Sequence, residues 1–268
     1  MKLIESNILI TGGASGIGRI MGRMALENGA KNVIIWDINQ KNIDDTIKEF
    51  EQIGSAKGYL VDVSDNNAVK NTYQKVCEDI GYIDILINNA GIITSNKTFD
   101  QLTEDEITKT ININTIAPMF VARVMLPDML KRNYGHICNI TSAGGMLGNP
   151  KMSVYGASKW AAIGWSESIR IELQGSKKNV HVTTVAPYYI KTGMFNGVKS
   201  SIIPILEPKY VAKKVLKAIE KNKIFAGIPF SFQFIRFWQG ILPTRFFDWF
   251  FGDIVGIYHT MDQFTGHK

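Results

Sequence analysis

Thr11-Gly12-Gly13-Ala14-Ser15-Gly16-Ile17-Gly18 is the stretch on which the fold turns. An apolar run (6–11) leads into it, and a helical period (16–29) leads out. Glycines let a backbone approach a pyrophosphate closely, and the N-terminus of a helix presents free N–H groups at the positive end of its dipole. A glycine-rich turn by itself is a weak signal, since many strand–helix turns contain glycine. Its weight comes from the chain around it.

The same alternation continues outward. Apolar runs at 6–11, 32–36, 57–61, 83–88, 135–141, 179–186 and, more weakly, 223–227 are separated by helical periods at 16–29, 39–52, 66–80, 103–132, 153–175 and 208–221. Such alternation implies a parallel sheet covered on both faces, and right-handed crossovers wind it doubly. The expected fold class is α/β: a single Rossmann-like, doubly wound parallel sheet of about seven strands. Asp65 is placed to start one helix, and Thr103 with Glu106 forms a capping box for another. Residues 1–222 form the expected dinucleotide-binding catalytic domain, and 223–268 a C-terminal extension packed on it.

Bulk properties narrow the class. With 268 residues, 45% hydrophobic and 20% charged, the chain can bury the core of one large α/β domain. Cys77 and Cys138 make no disulfide framework, which points to a reducing compartment, the cytoplasm. The four histidines are scattered, so neither a zinc dehydrogenase nor any metal is expected. Met1-Lys2-Leu3-Ile4-Glu5 runs straight into a strand, so neither a signal peptide nor an N-terminal anchor is expected.

The formal net charge of +6 sits in residues 191–223, where eight lysines face Glu207 and Glu220. No nucleic-acid recognition motif accompanies them, and no nucleic-acid partner is expected. The open readings are a solvated helix face and a basic skirt near anionic lipid. Residues 225–258 hold twelve of the 28 aromatics. No uncharged run there approaches the ~20 residues that span a bilayer. This segment reads as core and dimer contact, with an interfacial lipid patch or a wall of the substrate pocket as alternatives.

Three constellations carry chemistry. The first is the glycine loop, with Gly12, Ser15, Gly16, Ile17 and Gly18 as the phosphate cradle. Asp37 ends the next strand nineteen residues beyond Gly18, with Ile38 beside it. A carboxylate there accepts hydrogen bonds from both ribose hydroxyls and repels a 2′-phosphate, so NAD is favoured over NADP; a plain turn residue is the competing reading. The second is Asn88-Asn89-Ala90-Gly91 at the carboxyl end of strand 83–88, where open α/β sheets bind ligands. Asp62 and Val63 hold the equivalent end of the preceding strand and could cap an adenine edge. The third is Ser142 at the end of strand 135–141, followed by Tyr155-Gly-Ala-Ser-Lys159. Residues at i and i+4 share a helix face. A free phenol titrates near ~10, and moving it to neutral pH takes ~4 kcal/mol, what a cation ~4 Å away supplies at an effective dielectric of ~20. Tyr155 beside Lys159 is therefore a candidate general base. Asn114, in an otherwise apolar helix, is either a satisfied core amide or part of a proton relay.

Together these motifs resemble the short-chain dehydrogenase/reductase family over about residues 5–222: Thr11-Gly-x-x-x-Gly16-x-Gly18, Asn88-Asn-Ala-Gly91, Asn114, Ser142 and Tyr155-x-x-x-Lys159. The resemblance implies that Tyr155 is the catalytic base and Ser142 positions the substrate hydroxyl. It implies that Lys159 lowers the tyrosine pKa and binds the nicotinamide ribose, and that Asn114 holds a relay water. It also implies dimers or tetramers packed through helices 103–132 and 153–175. The family usually has Pro-Gly after the sixth strand; here it is Pro187-Tyr188, with Ile190 and Thr192 still matching nicotinamide-binding positions. That replacement, Thr192-Gly-Met-Phe195 and the aromatic tail resemble the branch holding retinol dehydrogenases and lipid-droplet hydroxysteroid dehydrogenases. Residues 193–207 read as a lid whose Met194, Phe195, Ile202, Ile203, Ile205 and Leu206 line an apolar pocket. The expected activity is NAD-dependent interconversion of a lipophilic alcohol and its ketone or aldehyde. A ketoacyl-thioester reductase and a non-catalytic NAD-binding scaffold are the rivals.

Overall fold

The strands are short apolar runs because both faces of their sheet are covered. In the computed structural model, which describes residues 1–200 and 202–265, seven parallel strands lie in the order β3-β2-β1-β4-β5-β6-β7. They are β1 (Asn7–Thr11), β2 (Asn32–Asp37), β3 (Ala56–Leu60), β4 (Ile85–Asn88), β5 (Gly135–Ile140), β6 (Val180–Pro187) and β7 (Phe225–Ile228). Ser201, in the expected lid, and residues 266–268, at the end of the expected extension, lie outside the described residues.

Side chains alternate across a strand. Ile8, Ile10, Val33, Ile35, Ile85 and Ile87 accordingly enter one core layer. Leu9, Ile34, Trp36 and Leu86 enter the other. The first layer is covered by α1 (Gly16–Glu27), α2 (Gln40–Phe50) and α7 (Pro208–Glu220). The second is covered by α3 (Asn66–Asp79) and α5 (Ala117–Arg132), with part of α6 (Ser153–Gly175). Strand order reverses between β1 and β4, so the carboxyl ends of these two strands flank the crevice where such sheets bind ligands.

The expected start signals are in place. The Asp65 carboxylate accepts from the Asn67 and Ala68 N–H groups, and Thr103 with Glu106 makes a reciprocal capping box. The expected helix 103–132 is α4 (Glu104–Ile111) and α5 joined by a π-helical turn, Asn112–Ile116. Glu104–Arg132 is long and apolar enough to cross a membrane by length and composition. Val121, Ala122, Met125 and Met129 are nonetheless buried in the second core layer, the pattern of a core helix.

After β7 the chain folds back through a 3₁₀ turn (Phe230–Phe234), α8 (Ile235–Ile241), α9 (Thr244–Phe247) and a π turn (Asp248–Ile254). Its two sides differ. Phe232, Ile235, Phe247 and Ile257 join the first core layer. Phe230, Phe234, Phe237, Trp238, Ile241, Phe246, Trp249, Phe250 and Ile254 are exposed. The expectation that this segment is core holds only for the inner side.

Candidate active site

The glycine loop is built by two different constraints. Gly12 (φ +62°) and Gly16 (φ +51°) occupy the left-handed region that side chains disfavour. Gly18 is constrained by space: a Cβ there would stand 2.2 Å from the Gly12 carbonyl oxygen and 2.7 Å from Asn89 Nδ2. The loop is stitched to the end of β4. Thr11 Oγ1 accepts from the Asn89 and Ala90 N–H groups at 3.0 and 3.1 Å. Asn89 Nδ2 donates to the Thr11 and Gly12 carbonyls at 3.0 and 3.1 Å. No side chain caps α1 at Ser15, so its first N–H groups face the crevice unpaired by a cap.

A cleft of about 330 Å³ opens there. Gly12, Ser15, Gly16 and Ile17 form one wall, and Asn89, Ala90 and Gly91 a second. Ser142, Tyr155, Lys159, Pro187, Ile190 and Thr192 close it. Left-handed glycines at 12 and 16 and an uncapped helix start fit a dinucleotide pyrophosphate. Gly18 lies behind the loop. Asp37 stands at its edge, accepting from Ala14 N at 3.1 Å, Ile38 N at 2.8 Å and Asn39 N at 3.2 Å. The carboxylate is thus a turn former held against the glycine loop at Ala14, next to exposed Ile38, and neither residue lines the cleft. Asp62 and Val63 are outside the cleft walls. The Asp62 carboxylate accepts from the Ser64 N–H and hydroxyl at 2.9 and 2.6 Å, and Val63 is buried in the second core layer.

Tyr155 and Lys159 share one face of α6, as their spacing requires, and both are buried. Lys159 Nζ lies 5.8 Å from the phenol ring centre and donates to the Ile140 carbonyl at 3.3 Å. Ser142 Oγ accepts from the Gly144 N–H at 3.1 Å. The electrostatics correct the sequence argument. Burial pushes the Tyr155 phenol up to about 12, with the Ser142 hydroxyl drawing it part of the way back. Burial pulls the Lys159 ammonium down to about 8. Desolvation disfavours both charged forms, and within the chain it exceeds their mutual attraction.

Asn114 stands behind Gly91, in the π turn. Its amide pairs with both backbone groups of Ile92: Oδ1 accepts from N at 2.8 Å and Nδ2 donates to O at 2.9 Å. Nδ2 also donates to Ser158 Oγ at 3.1 Å, and that hydroxyl donates to the Tyr155 carbonyl at 2.7 Å. Asn114 is thus a satisfied buried amide linking the loop after β4 to the start of α6. Sequence reasoning gave Thr11 no role beyond its place in the motif, and it missed Ser158, Tyr189 and Asn149, whose Nδ2 donates to the Tyr189 hydroxyl at 2.9 Å. The buried chain Asn88–Asn139–Ser166–Thr184 behind the site was missed too. An isolated Ser or Thr gives no sequence signal; these matter through partners far along the chain.

A second, narrower cavity of about 40 Å³ adjoins the cleft, with Ser142, Tyr155, Tyr188 and Phe195 lining both. Its other walls include Leu147, Met152, Tyr189 and Ile257. Phe195 meets Tyr155 edge-on at 6.2 Å and Tyr189 at 5.1 Å. Tyr188, in place of the usual glycine, packs on Tyr189 and on Phe232 of the C-terminal segment at 4.7 and 5.2 Å. Of the six lid side chains expected to line the pocket, only Met194 and Phe195 reach these cavities. Leu206 is instead buried in a β-bridge with Ile190, Ile203 and Ile205 pack on the core, and Ile202 faces solvent. The bridge pins the chain flat after Ile190, which turns these side chains away from the pocket.

Residues 6–202 match the model of the short chain dehydrogenase family. Epidermal retinol dehydrogenase 2 of Mus musculus is 34% identical over 267 residues, covering 97% of this chain and 85% of the relative. Estradiol 17-beta-dehydrogenase 11 of Homo sapiens is 32% identical over 242 residues, covering 89% and 80%. Among solved structures, a short chain dehydrogenase/reductase from Burkholderia phymatum in complex with NAD superposes with a TM-score of 0.81 at 22% identity, over 90% of this chain and 95% of the other. That likeness bears on the fold. The chain belongs to the short-chain dehydrogenase family and is an oxidoreductase acting on CH–OH groups with a nicotinamide cofactor.

Proposed function

We propose that the chain interconverts a lipophilic alcohol, of retinoid, steroid or long-chain type, with its ketone or aldehyde, using NAD(H) in preference to NADP(H). The observation that carries this reading is that Ser142 and Tyr155 line both a dinucleotide-sized cleft and an adjoining cavity walled by Leu147, Met152, Phe195 and Ile257. The names of the retinol and estradiol dehydrogenases, whose substrates carry a hydroxyl on an apolar frame, support the same class.

When bound, the nicotinamide exchanges hydride at C4 and brings a positive charge in its oxidised form. Gly12, Ser15, Gly16 and Ile17 would receive the pyrophosphate, with Gly18 packed behind them, and Asp37 would hold the ribose hydroxyls. Asn89, Ala90, Gly91, Pro187, Ile190 and Thr192 flank the nicotinamide end. Ser142 holds the substrate oxygen. In oxidation Tyr155 takes the hydroxyl proton; in reduction the protonated phenol, the form that burial favours, returns it. Lys159 supplies the facing charge and a ribose contact, and Asn114 positions the loop and helix start that frame them.

The protein works in the cytoplasm, consistent with free Cys77 and Cys138, as a dimer or tetramer packed through α5 and α6. It meets lipid through the exposed aromatic side of residues 230–254. The deciding experiment is a panel of retinoids, steroids, long-chain alcohols and small sugars, each with NAD and NADP. Apolar alcohols with NAD are expected to give the highest kcat/KM. Preference for sugars defeats the substrate class, and preference for NADP defeats the role of Asp37.

A further inference from the structure

We infer that a long substrate chain runs past Leu147 and Ile257 into a third cavity formed by the C-terminal segment, so that this cavity is an extended subsite for the apolar end of the alcohol. The inference rests on the proposed oxidation of lipophilic alcohols.

Leu147 and Ile257, both buried, form the far wall of the cavity that holds Ser142 and Tyr155. The same two side chains form a wall of another cavity, of about 420 Å³. Two aliphatic side chains therefore separate the reacting end from this space. The third cavity is also lined by Phe247 and Phe251, with Trp160 of α6 at its edge. Three of its polar side chains already have partners within the protein. The Asp248 carboxylate accepts from the Tyr258 hydroxyl at 2.6 Å, and Gln239 Nε2 donates to the Met146 carbonyl at 2.7 Å. A ligand with no polar groups at this end leaves none of these bonds broken. The exposed Gly148 and Thr244 mark the mouth, beside the outward aromatics Phe246 and Trp249. A chain too long for the first cavity thus has a continuation, flanked by Leu147, Phe247, Phe251 and Ile257, that leads toward the aromatic surface.

The test is a homologous series of straight-chain alcohols from hexanol to octadecanol with the intact protein. Each methylene newly buried raises kcat/KM by about fourfold at full burial, so the profile is expected to keep climbing after the first cavity is filled. Gly148→Trp places an indole at the mouth without a backbone clash, since a Cβ there meets nothing within 4 Å and its φ is not positive. It is expected to lower the ratio of kcat/KM for hexadecanol over hexanol by about tenfold or more. Thr244→Trp is expected to do the same, and melting curves check that each variant is folded. A ratio unchanged in both folded variants overturns the subsite, as does a flat profile beyond octanol in the unmodified enzyme. Turnover of hexanol with a flat profile removes the subsite alone. Turnover of a retinoid or steroid but of none of this series also removes the subsite alone, whereas turnover of no apolar alcohol of any of the three types, with either cofactor, removes the proposed function and the subsite with it.

Discussion

At the scale of the residue, the balance at Tyr155 turns on burial. A phenol pushed up to about 12 is almost wholly protonated at neutral pH, and its ionised fraction grows tenfold per pH unit below that value. Alcohol oxidation is therefore expected to accelerate from neutral to alkaline pH, read as kcat/KM against pH. Tyr155→Phe removes the proton acceptor while keeping the ring that meets Phe195. The expected loss is about 10²–10⁴-fold in kcat with the melting temperature little changed. Retained turnover in that variant would end the proposed mechanism. Asp37→Ala removes the carboxylate but also three backbone contacts. The ratio of kcat/KM with NAD over NADP is expected to fall by about tenfold, a loss of ~1.4 kcal/mol of discrimination.

At the scale of the element, the glycine loop, the end of β4 and the start of α6 are one assembly. The loop accepts from Asn89, the loop after β4 is held by Asn114, and Asn114 reaches α6 through Ser158. Gly18→Ala drives a methyl into the Gly12 carbonyl and the Asn89 amide. It is expected to weaken NAD binding by about tenfold or more and to cost ~1–3 kcal/mol of stability, measured by calorimetry and urea unfolding. The glycine spacing suggested this loop because its cause is local. The π turn that brings Asn114 beneath Gly91 had no comparable signal. The sequence reads as one helical period from 103 to 132, and only contact with Ile92 and Ser158 shows what the turn accomplishes.

At the scale of the whole molecule, one buried histidine links the sheet to acid stability. Thr183 Oγ1 donates to the Lys223 carbonyl at 2.6 Å, so it can only accept from His136, whose Nε2 lies 2.8 Å away. His136 is therefore the neutral Nε2–H tautomer, and burial pulls its pKa down to about 3. The folded state resists protonation while the unfolded chain protonates near ~6.5. Stability is then highest above ~6.5 and falls as pH drops toward 3, at up to ~1.4 kcal/mol per pH unit. Urea midpoints between pH 7 and 4.5 are expected to show this slope, and His136→Gln to flatten it. The exposed aromatic side is the second property at this scale. Flotation with anionic liposomes at low salt is expected to carry the protein upward. Loss of flotation in Phe237→Ser with Trp249→Ser ties the effect to these side chains, whereas a protein that stays in the soluble fraction removes lipid contact.

The sequence by itself determined the doubly wound sheet, the phosphate-cradle turn and the shared face of Tyr155 and Lys159. Each of these follows from a repeat or spacing within a few residues along the chain. Only the tertiary structure decided the pKa directions of that pair, the retreat of Ile202, Ile203, Ile205 and Leu206 from the pocket, and the division of the C-terminal aromatics into an inner and an outer side. Desolvation and packing depend on groups that lie far apart in sequence, such as Ile190 with Leu206 or Leu147 with Ile257. No local pattern encodes which of them will meet.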